Sequence, residues 1–227
     1  MRIVIASSKK WFIESLSDYD FQNHELTFIA EQSDLNIENL TSIAPNFIFF
    51  PHWNWKIPED IINSYKCIVF HIANLPKGRG GSPIQNHILE GYRSVNVNAL
   101  AVTKELDGGD IYLSKEVSLD GSLKEIFERI SPVIREMINR IINGDYNLHK
   151  QIGNPTYYRR RKSEQNALPI ESSRLDEIYD YIRMLDDPEY PHSFIEVGNI
   201  RLEFSNAQLK EESISAQVEI SINRRDH

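Results

Sequence analysis

Short apolar runs alternate with helix-length segments through the first half of this chain. The runs lie at residues 2–6, 25–30, 46–50 and 66–70 and are rich in β-branched and aromatic residues. Helical composition marks the segments between them, at residues 11–16, 35–43 and 59–64. Apolar strands that alternate with helices are typical of parallel sheets whose two faces are both covered. The pattern predicts an α/β fold with a Rossmann-like, mostly parallel sheet.

The second half of the chain changes from this pattern to a long helix and then to a small module. Residues 95–103 and 110–117 predict paired strands, and regularly spaced isoleucines predict a helix at 123–142, kinked at Pro132. Residues 145–167 lack periodicity and predict a linker that crosses the surface. An amphipathic helix from Leu175 and three short strands predict a small α+β or barrel-like module. We therefore predict a large domain at 1–153, a linker at 154–173 and a small C-terminal domain at 174–227.

Composition narrows the class of protein. With 227 residues, of which 41% are hydrophobic, the chain can bury a full core. Its single cysteine, Cys67, excludes a disulfide framework within the chain and fits a reducing cytoplasm. No apolar run approaches the roughly 20 residues that cross a bilayer, and the run near the N-terminus is too short for a signal peptide. We therefore expect a cytoplasmic protein with no membrane partner.

Net charge argues against one class of partner. The formal charge of −8 is opposite in sign to that of a general nucleic-acid surface, so no nucleic-acid partner is predicted. One local exception is the basic run Tyr-Tyr-Arg-Arg-Arg-Lys at residues 157–162. It has two interpretations of equal weight, a solvated basic linker and a segment that binds a base and a phosphate.

Candidate chemistry lies in residues 71–110. His71 enters a loop rich in glycine and proline, and Asp107 lies in a second glycine-rich loop after a hydrophobic strand. Ligands in α/β sheets bind beyond the carboxyl ends of strands, so a histidine and a carboxylate placed there are candidates for general acid–base catalysis. Ser7 and His52 also follow predicted strands and would face the same rim. His52, His87, His149 and His192 have no metal-ligand spacing, so no metal site is predicted.

Several pieces of this stretch, taken in order, carry a family resemblance. They are His71, Leu75-Pro76, Lys77, Arg79-Gly80, Pro83-Ile84-Gln85 and Leu106-Asp107-Gly108-Gly109. With them the chain resembles the formyltransferases that use 10-formyltetrahydrofolate, and the likeness covers nearly the whole chain. The combination of HWNWKIP, LPKGRGGSPIQN and TYYRRRKSEQ looks most like the branch that acts on nucleotide-linked amino sugars of the pseudaminic-acid type. The resemblance implies the formyltransferase fold and a folate donor.

The resemblance also implies a catalytic pair. His71 would donate a hydrogen bond to the oxyanion, while Asp107 would orient the histidine and accept the amine's proton. The family has an asparagine two positions before the histidine, where this chain has Val69, and Asn74 is the candidate replacement. A backbone N–H or a water could serve instead. The folate would lie against Trp53, Asn54, Trp55, Lys56, Ile57, Glu105 and Leu106.

The implied acceptor is the amine of a nucleotide-linked amino sugar in surface polysaccharide biosynthesis, with UDP-4-amino-4,6-dideoxy-N-acetyl-altrosamine as one candidate. The residues expected to contact it are Ser7, Lys9, Lys77, Arg79, Gly80, Ser82, Gln85, Tyr157, Arg159 and Arg160. Two alternatives stay open. One is a methionyl-tRNA formyltransferase-like enzyme, and the other is a non-catalytic folate- or nucleotide-binding homologue, which Val69 favours. A homodimer through strands of either module is also open.

Overall fold

A computed structural model describes residues 1–17, 19, 21 and 24–222 of the chain. The strands are β1 (Arg2–Ala6), β2 (Glu25–Ile29), β3 (Phe47–Phe50), β4 (Cys67–Ile72), β5 (Arg79–Gly80), β6 (Ser94–Ala101), β7 (Ile111–Ser118), β8 (Tyr157–Tyr158), β9 (Ser193–Val197), β10 (Ile200–Leu209) and β11 (Ile214–Ile222). The helices are α1 (Lys10–Ser17), α2 (Ile37–Ile43), α3 (Glu59–Ser64), α4 (Pro83–Leu89), α5 (Leu123–Ile142) and α6 (Leu175–Arg183). Across these described ranges, no helix combines the length and the apolarity needed to span a bilayer.

Six of the strands form one mixed sheet in the order β2-β1-β3-β4-β6-β7. Strand β1 pairs in parallel with β2 and with β3, and β3 pairs in parallel with β4. Strand β6 runs antiparallel to β4, which places Asn98 opposite His71. The predicted α/β fold with a mostly parallel sheet is confirmed. His71 itself lies inside β4, whereas the sequence pattern predicts it directly after the strand.

The core of this sheet explains why the apolar runs become strands. All four residues of β3 are buried, and so are the last four residues of β1. One cluster of buried residues contains Val4, Ala6, Ile29, Leu35, Leu40, Ile48, Phe50, Ile57, Ile61 and Cys67. Each large aliphatic or aromatic side chain buried there contributes about 1.5–3 kcal/mol. Helices α2 and α3 each contribute one side chain to the cluster, so the crossovers are fixed against the sheet that carries His71.

The chain divides into two compact units. The first comprises Met1–Arg79, Asn96–Val117 and Ile130–Tyr157. The second comprises Gly80–Val95, Ser118–Arg129 and the chain from Tyr158 onward. The predicted division at 1–153, 154–173 and 174–227 stays a prediction, and residues 223–227 lie outside the described residues.

The second unit contains the small C-terminal module that the sequence predicts. Strands β9, β10 and β11 form an antiparallel sheet, and α6 precedes them in the chain. Arg183 at the end of α6 is 3% exposed, and its guanidinium donates to Asp180 at 2.6 Å and to the carbonyl oxygen of Gly121 at 3.1 Å. A buried guanidinium bound to a carboxylate and to backbone oxygens ties the helix to the loop before α5.

The stretch 145–167, predicted to be a linker that crosses the surface, contains short paired segments. His149 exchanges two backbone hydrogen bonds with Ile111, with N···O distances of 2.8 and 3.1 Å. Strand β8 pairs with β5, and a 3₁₀ turn covers Ser163–Asn166. The paired segments depend on partners far away in the sequence, so the local sequence carries no period that would predict them.

Candidate active site

His71 is fixed by a backbone oxygen on one side and faces a carboxylate on the other. The residue is 7% exposed, and its Nε2 lies 2.9 Å from the carbonyl oxygen of Gly78. A carbonyl oxygen only accepts, so Nε2 must carry a hydrogen. The Nδ1 atom lies 3.5 Å from Oδ2 of Asp107. The structure therefore brings together the two residues, 36 positions apart in the sequence, that were predicted to be catalytic.

Asp107 lies in a strained turn between β6 and β7. Its φ is +50°, a conformation that residues other than glycine rarely adopt. Two residues on, a side-chain carbon at Gly109 would overlap the carbonyl oxygen of Ala101. It would also lie only 2.8 Å from the carbonyl carbon of that residue. The amide N–H of Ala101 in turn donates to the carbonyl oxygen of Asp110 at 2.9 Å. The turn is thus packed directly against the end of β6, and this packing orients the carboxylate.

A polar cluster next to this turn was missed by the sequence analysis. Gln151 donates to the carbonyl oxygens of Asp107 and Gly109 at 2.7 and 2.9 Å, and it accepts from Nε and Nη2 of Arg79 at 3.1 and 2.8 Å. Arg79, which is 5% exposed, also pairs with Glu105 at 2.5 Å and donates to the hydroxyl oxygen of Tyr157 at 3.2 Å. Gln151 had no distinguishing signal, because it lies in a stretch without periodicity or a motif.

Three residues of this cluster were predicted to bind ligands. Arg79 and Tyr157 were expected to contact the acceptor, and Glu105 was expected to contact the folate. The Tyr157 hydroxyl donates to the Glu105 carboxylate at 3.1 Å, so each of the three contacts the other two. Their predicted ligand contacts stay predictions.

The aromatic loop after β3 contains the residues predicted to bind the folate. Trp53 packs edge to face on Trp55, with ring centroids 4.8 Å apart, and it also contacts Phe50. Among the described residues, the buried indole N–H of Trp53 has no hydrogen-bond partner. Ile57 is buried in the core, whereas Asn54 and Lys56 are exposed, as is Leu106 in the acidic turn. The folate contacts of this loop stay predictions.

His52, between β3 and this loop, is a partly buried histidine whose ring lies against aromatic side chains. Its φ is +52°, and its ring packs against Trp11 and Phe12 at centroid distances of 5.3 and 5.2 Å. Desolvation of the ring, with a smaller effect of Lys9, lowers the pKa of His52 to about 3.

Ser7 is fully buried, and its hydroxyl accepts from the backbone N–H of Lys9 at 3.2 Å. The expected acceptor contacts of Ser7, Lys9 and Lys77 are not tested by these interactions.

A partly buried apolar side chain, Val69, stands where the family has an asparagine. Val69 lies two residues before His71 on β4, so both side chains are on the same face of the strand, and Val69 packs against the buried core. The side-chain oxygen of Asn74 accepts from the backbone N–H and the side chain of Asn96 at 3.0 and 3.2 Å. Asn98, opposite His71, donates to the carbonyl oxygens of His71 and Ala73 at 3.2 and 2.7 Å. Asn74 therefore stays a prediction, and Asn98 is a missed residue that fixes the backbone around His71.

The remaining predicted acceptor residues belong to the second unit. Gly80 has a φ of +96°, and a side chain there would clash with the carbonyl oxygen of Tyr158. Ser82 accepts from the backbone N–H of Arg161 at 3.1 Å. Gln85 is buried and donates to the carbonyl oxygen of Met184 at 3.4 Å. Arg159 and Arg160 are exposed. All these residues stay predictions as ligand contacts.

No metal centre is visible in the part of the chain that the structure describes. Those residues contain no group of three or more histidine, cysteine, aspartate or glutamate side chains that could hold an ion. The chemistry that His71 and Asp107 themselves offer is that of a hydrogen-bond donor beside a carboxylate.

Two family models match this chain. A model described as "Formyl transferase" matches residues 6–140. A second, described as "Methionyl-tRNA formyltransferase, C-terminal domain", matches residues 163–221. The first contains the whole segment that carries His71 and Asp107, and the second contains α6 and the three-stranded sheet except for Ile222, the last residue of β11.

Named relatives and solved structures agree with these matches. A methionyl-tRNA formyltransferase of a Nitratiruptor species is 32% identical over 143 residues, which is 62% of this chain and 46% of that protein. The chain spans about half the length of the curated relatives it matches. A solved structure called methionyl-tRNA formyltransferase from Clostridium thermocellum is 40% identical, covers 98% of this chain and 99% of its own, and superposes with a TM-score of 0.93. A sugar N-formyltransferase from a Shewanella species, at 17% identity over 96% of each chain and a TM-score of 0.66, shares the fold.

Proposed function

Because the chain belongs to the formyl transferase family, we propose that it transfers the formyl group of 10-formyltetrahydrofolate to a primary amine. The observation that carries the proposal is the 3.5 Å approach of His71 Nδ1 to Asp107 Oδ2. This pair lies in the family's own motif, between a buried strand and a packed turn. The fit of the second model to residues 163–221 supports an acceptor class like that of the named relatives.

The reaction is an acyl transfer. The amine nitrogen attacks the formyl carbon, a new C–N bond forms, and the carbonyl oxygen becomes an oxyanion. The Nε2 hydrogen of His71, which binds the Gly78 carbonyl, is drawn to the oxyanion because a charged acceptor binds it more strongly. The amine's proton passes to Asp107, directly or through water. The bond from the formyl carbon to the folate nitrogen then breaks, and that nitrogen gains a proton.

The proposed acceptor is the amine of methionyl-tRNA. This acceptor was the alternative to the sugar in the sequence analysis, and the names of the relatives support it better than they support an amino sugar. The basic run at 157–162 precedes the C-terminal module and offers cationic side chains to a phosphate backbone.

A nucleotide-linked amino sugar is the second candidate acceptor, and the net charge favours it. At −8 the chain as a whole repels a polyanion, whereas a small substrate with a diphosphate needs only a local group of cations. The exposed Arg159 and Arg160 are such cations.

A parallel assay of the two acceptors tests both the reaction and the acceptor. The purified protein is incubated with 10-formyltetrahydrofolate and, separately, with methionyl-tRNA or with a panel of UDP-linked amino sugars. Tetrahydrofolate release and the gain of one CO in the acceptor's mass are followed. Formylation of only one class identifies the acceptor. Binding of folate with no product from either class would overturn the proposed reaction and favour a non-catalytic homologue.

A further inference from the structure

One side chain outside the predicted site uses its full hydrogen-bonding capacity next to Asp107. The Nε2 of Gln151 donates to the carbonyl oxygens of Asp107 and Gly109, and its Oε1 accepts from two nitrogens of Arg79. A carboxamide has two N–H donors and two acceptor positions, so these four bonds, between 2.7 and 3.1 Å, satisfy all of them. A side chain bound at every position has one orientation and holds its partners in one arrangement.

The donor half of Gln151 holds the turn that carries the carboxylate. Asp107 has a φ of +50°, which costs free energy for a residue with a side chain and persists only where the surroundings impose it. Gln151 binds the carbonyl oxygen of that residue and the one two positions later. The same turn places the Asp107 carboxylate 3.5 Å from His71.

The acceptor half of Gln151 holds the other loop that contacts His71. Arg79 directly follows Gly78, whose carbonyl oxygen accepts from His71 Nε2 at 2.9 Å. The guanidinium of Arg79 is buried, and Glu105 balances its charge. Gln151 therefore connects the two segments that face the two nitrogens of one imidazole ring.

We propose that Gln151 is a positioning residue, which acts by holding the Asp107 turn and the Arg79 loop at the separation that the His71–Asp107 pair requires. This inference rests on the proposed formyl transfer. A catalytic group must be held within about 0.5 Å of its productive position, and a misplacement of about 1 Å can lower a rate about 100-fold. Gln151 touches neither reacting atom, so its donor half acts through the Asp107 turn and its acceptor half through the Arg79 loop.

Gln151→Glu removes the donor half of this side chain and keeps the acceptor half. The carboxylate still accepts from Arg79 but cannot donate to the carbonyl oxygens of Asp107 and Gly109. We expect kcat to fall about 10- to 100-fold, with KM for 10-formyltetrahydrofolate within about 3-fold of its original value. Gln151→Met, which has a similar shape and no polar group, serves as a second variant if the glutamate prevents folding. Gln208→Glu makes the same charge change at an exposed position of β10 and should leave kcat unchanged.

A double-mutant cycle distinguishes positioning from general destabilisation. Gln151→Glu removes only the donor half, which acts through Asp107, so it should lower kcat by less than about 2-fold when Asp107 is already asparagine. A full additional loss in that background, or an unchanged kcat in the single variant, would overturn the inference.

A crystal structure of the Gln151→Glu protein gives a test that does not depend on turnover. We expect the separation between His71 Nδ1 and Asp107 Oδ2 to increase by about 1 Å or more, roughly the misplacement that matters for catalysis. A separation that stays at 3.5 Å would overturn the inference, whether or not the protein formylates an acceptor. An inactive wild-type protein, by contrast, would count only against the proposed function.

Discussion

His71 is the residue on which the proposed chemistry depends most. Its ring donates to Gly78 and faces Asp107, so removing the ring removes the donor and leaves the carboxylate in place. We expect His71→Ala to lower kcat about 10²- to 10³-fold, as the loss of an oxyanion donor does in other enzymes. Steady-state kinetics with saturating folate and acceptor measure this effect.

The control for this variant is a histidine outside the site. His149 is exposed, and its ring contacts the carbonyl oxygen of Asn147. His149→Ala should retain the original kcat. Near-normal turnover by His71→Ala would contradict the assigned role.

His52 should make the stability of the protein depend on pH. Its pKa is lowered from 6.5 to about 3 in the folded chain, so the unfolded chain binds a proton between these values that the folded chain excludes. Stability from this residue is present above about pH 6.5 and is lost as the pH falls toward about 3. In His52→Asn, which tolerates the positive φ, the free energy of unfolding should fall less between about pH 7 and pH 4. Urea unfolding at the two pH values measures the difference, and an equal fall in both proteins would contradict the assignment.

Among single residues, the sequence predicted the histidine and the carboxylate but not the groups that hold them. His71 and Asp107 lie in a recognisable series of motifs, whereas Gln151 and Asn98 lie in stretches where no motif marks an amide side chain as functional. Val69 was identified as a departure from the family pattern. Its packing against the core could not be predicted, because it depends on which side of β4 faces α2 and α3.

Among elements, the buried parallel strands were predictable and the direction of β6 was not. A run such as Phe-Ile-Phe-Phe in β3 is apolar at every position, which is typical of a strand covered on both faces. Strand β6 has the same apolar character in either direction. Its antiparallel pairing with β4 depends on the path of residues 73–93, which includes α4 and the short strand β5.

The turn between β6 and β7 should be intolerant of a side chain at Gly109. A methyl group there would overlap the carbonyl group of Ala101, which is backbone and cannot move away without displacing β6. We expect Gly109→Ala to lower the free energy of unfolding by about 1–3 kcal/mol and to lower kcat through the adjacent Asp107. Thermal unfolding and kinetics measure the two effects.

The neighbouring glycine provides the comparison for this element. The nearest neighbour of a methyl group at Gly108 would be the side chain of Glu105, which is bonded to Arg79 and Tyr157 but can shift more easily than the backbone of Ala101. Gly108→Ala should therefore cost less stability than Gly109→Ala. The reverse order would contradict the packing described for this turn.

For the whole molecule, the compact units are made of segments far apart along the chain, and the predicted contiguous domains stay a prediction. The second unit takes Gly80–Val95 and Ser118–Arg129 from the middle of the chain. Such a grouping depends on contacts like those of Arg183 with the loop before α5, which no local pattern reveals.

The single thiol should report on the integrity of the whole fold. Cys67 is 6% exposed, and burial raises its pKa to about 12, so the reactive thiolate is scarce in the folded chain. We expect labelling by a thiol reagent at about pH 8 to be slow in the native protein and to follow its unfolding rate, and to be fast in denaturant. Fast labelling of the native protein would show that β4 opens readily.

The position of β4 between β3 and β6 has a consequence for motion at the site. In β4, Ile68 and Val69 are paired with both neighbouring strands, whereas His71 is paired with β6 alone. Backbone amides in a doubly paired stretch exchange their hydrogens only when the sheet opens, so those of Ile68 and Val69 should be among the slowest to take up deuterium. The imidazole is thus carried by β4 two residues beyond this stretch, and the carboxylate by a turn. We expect any local opening that separates His71 from Asp107 to begin in the turn that carries Asp107.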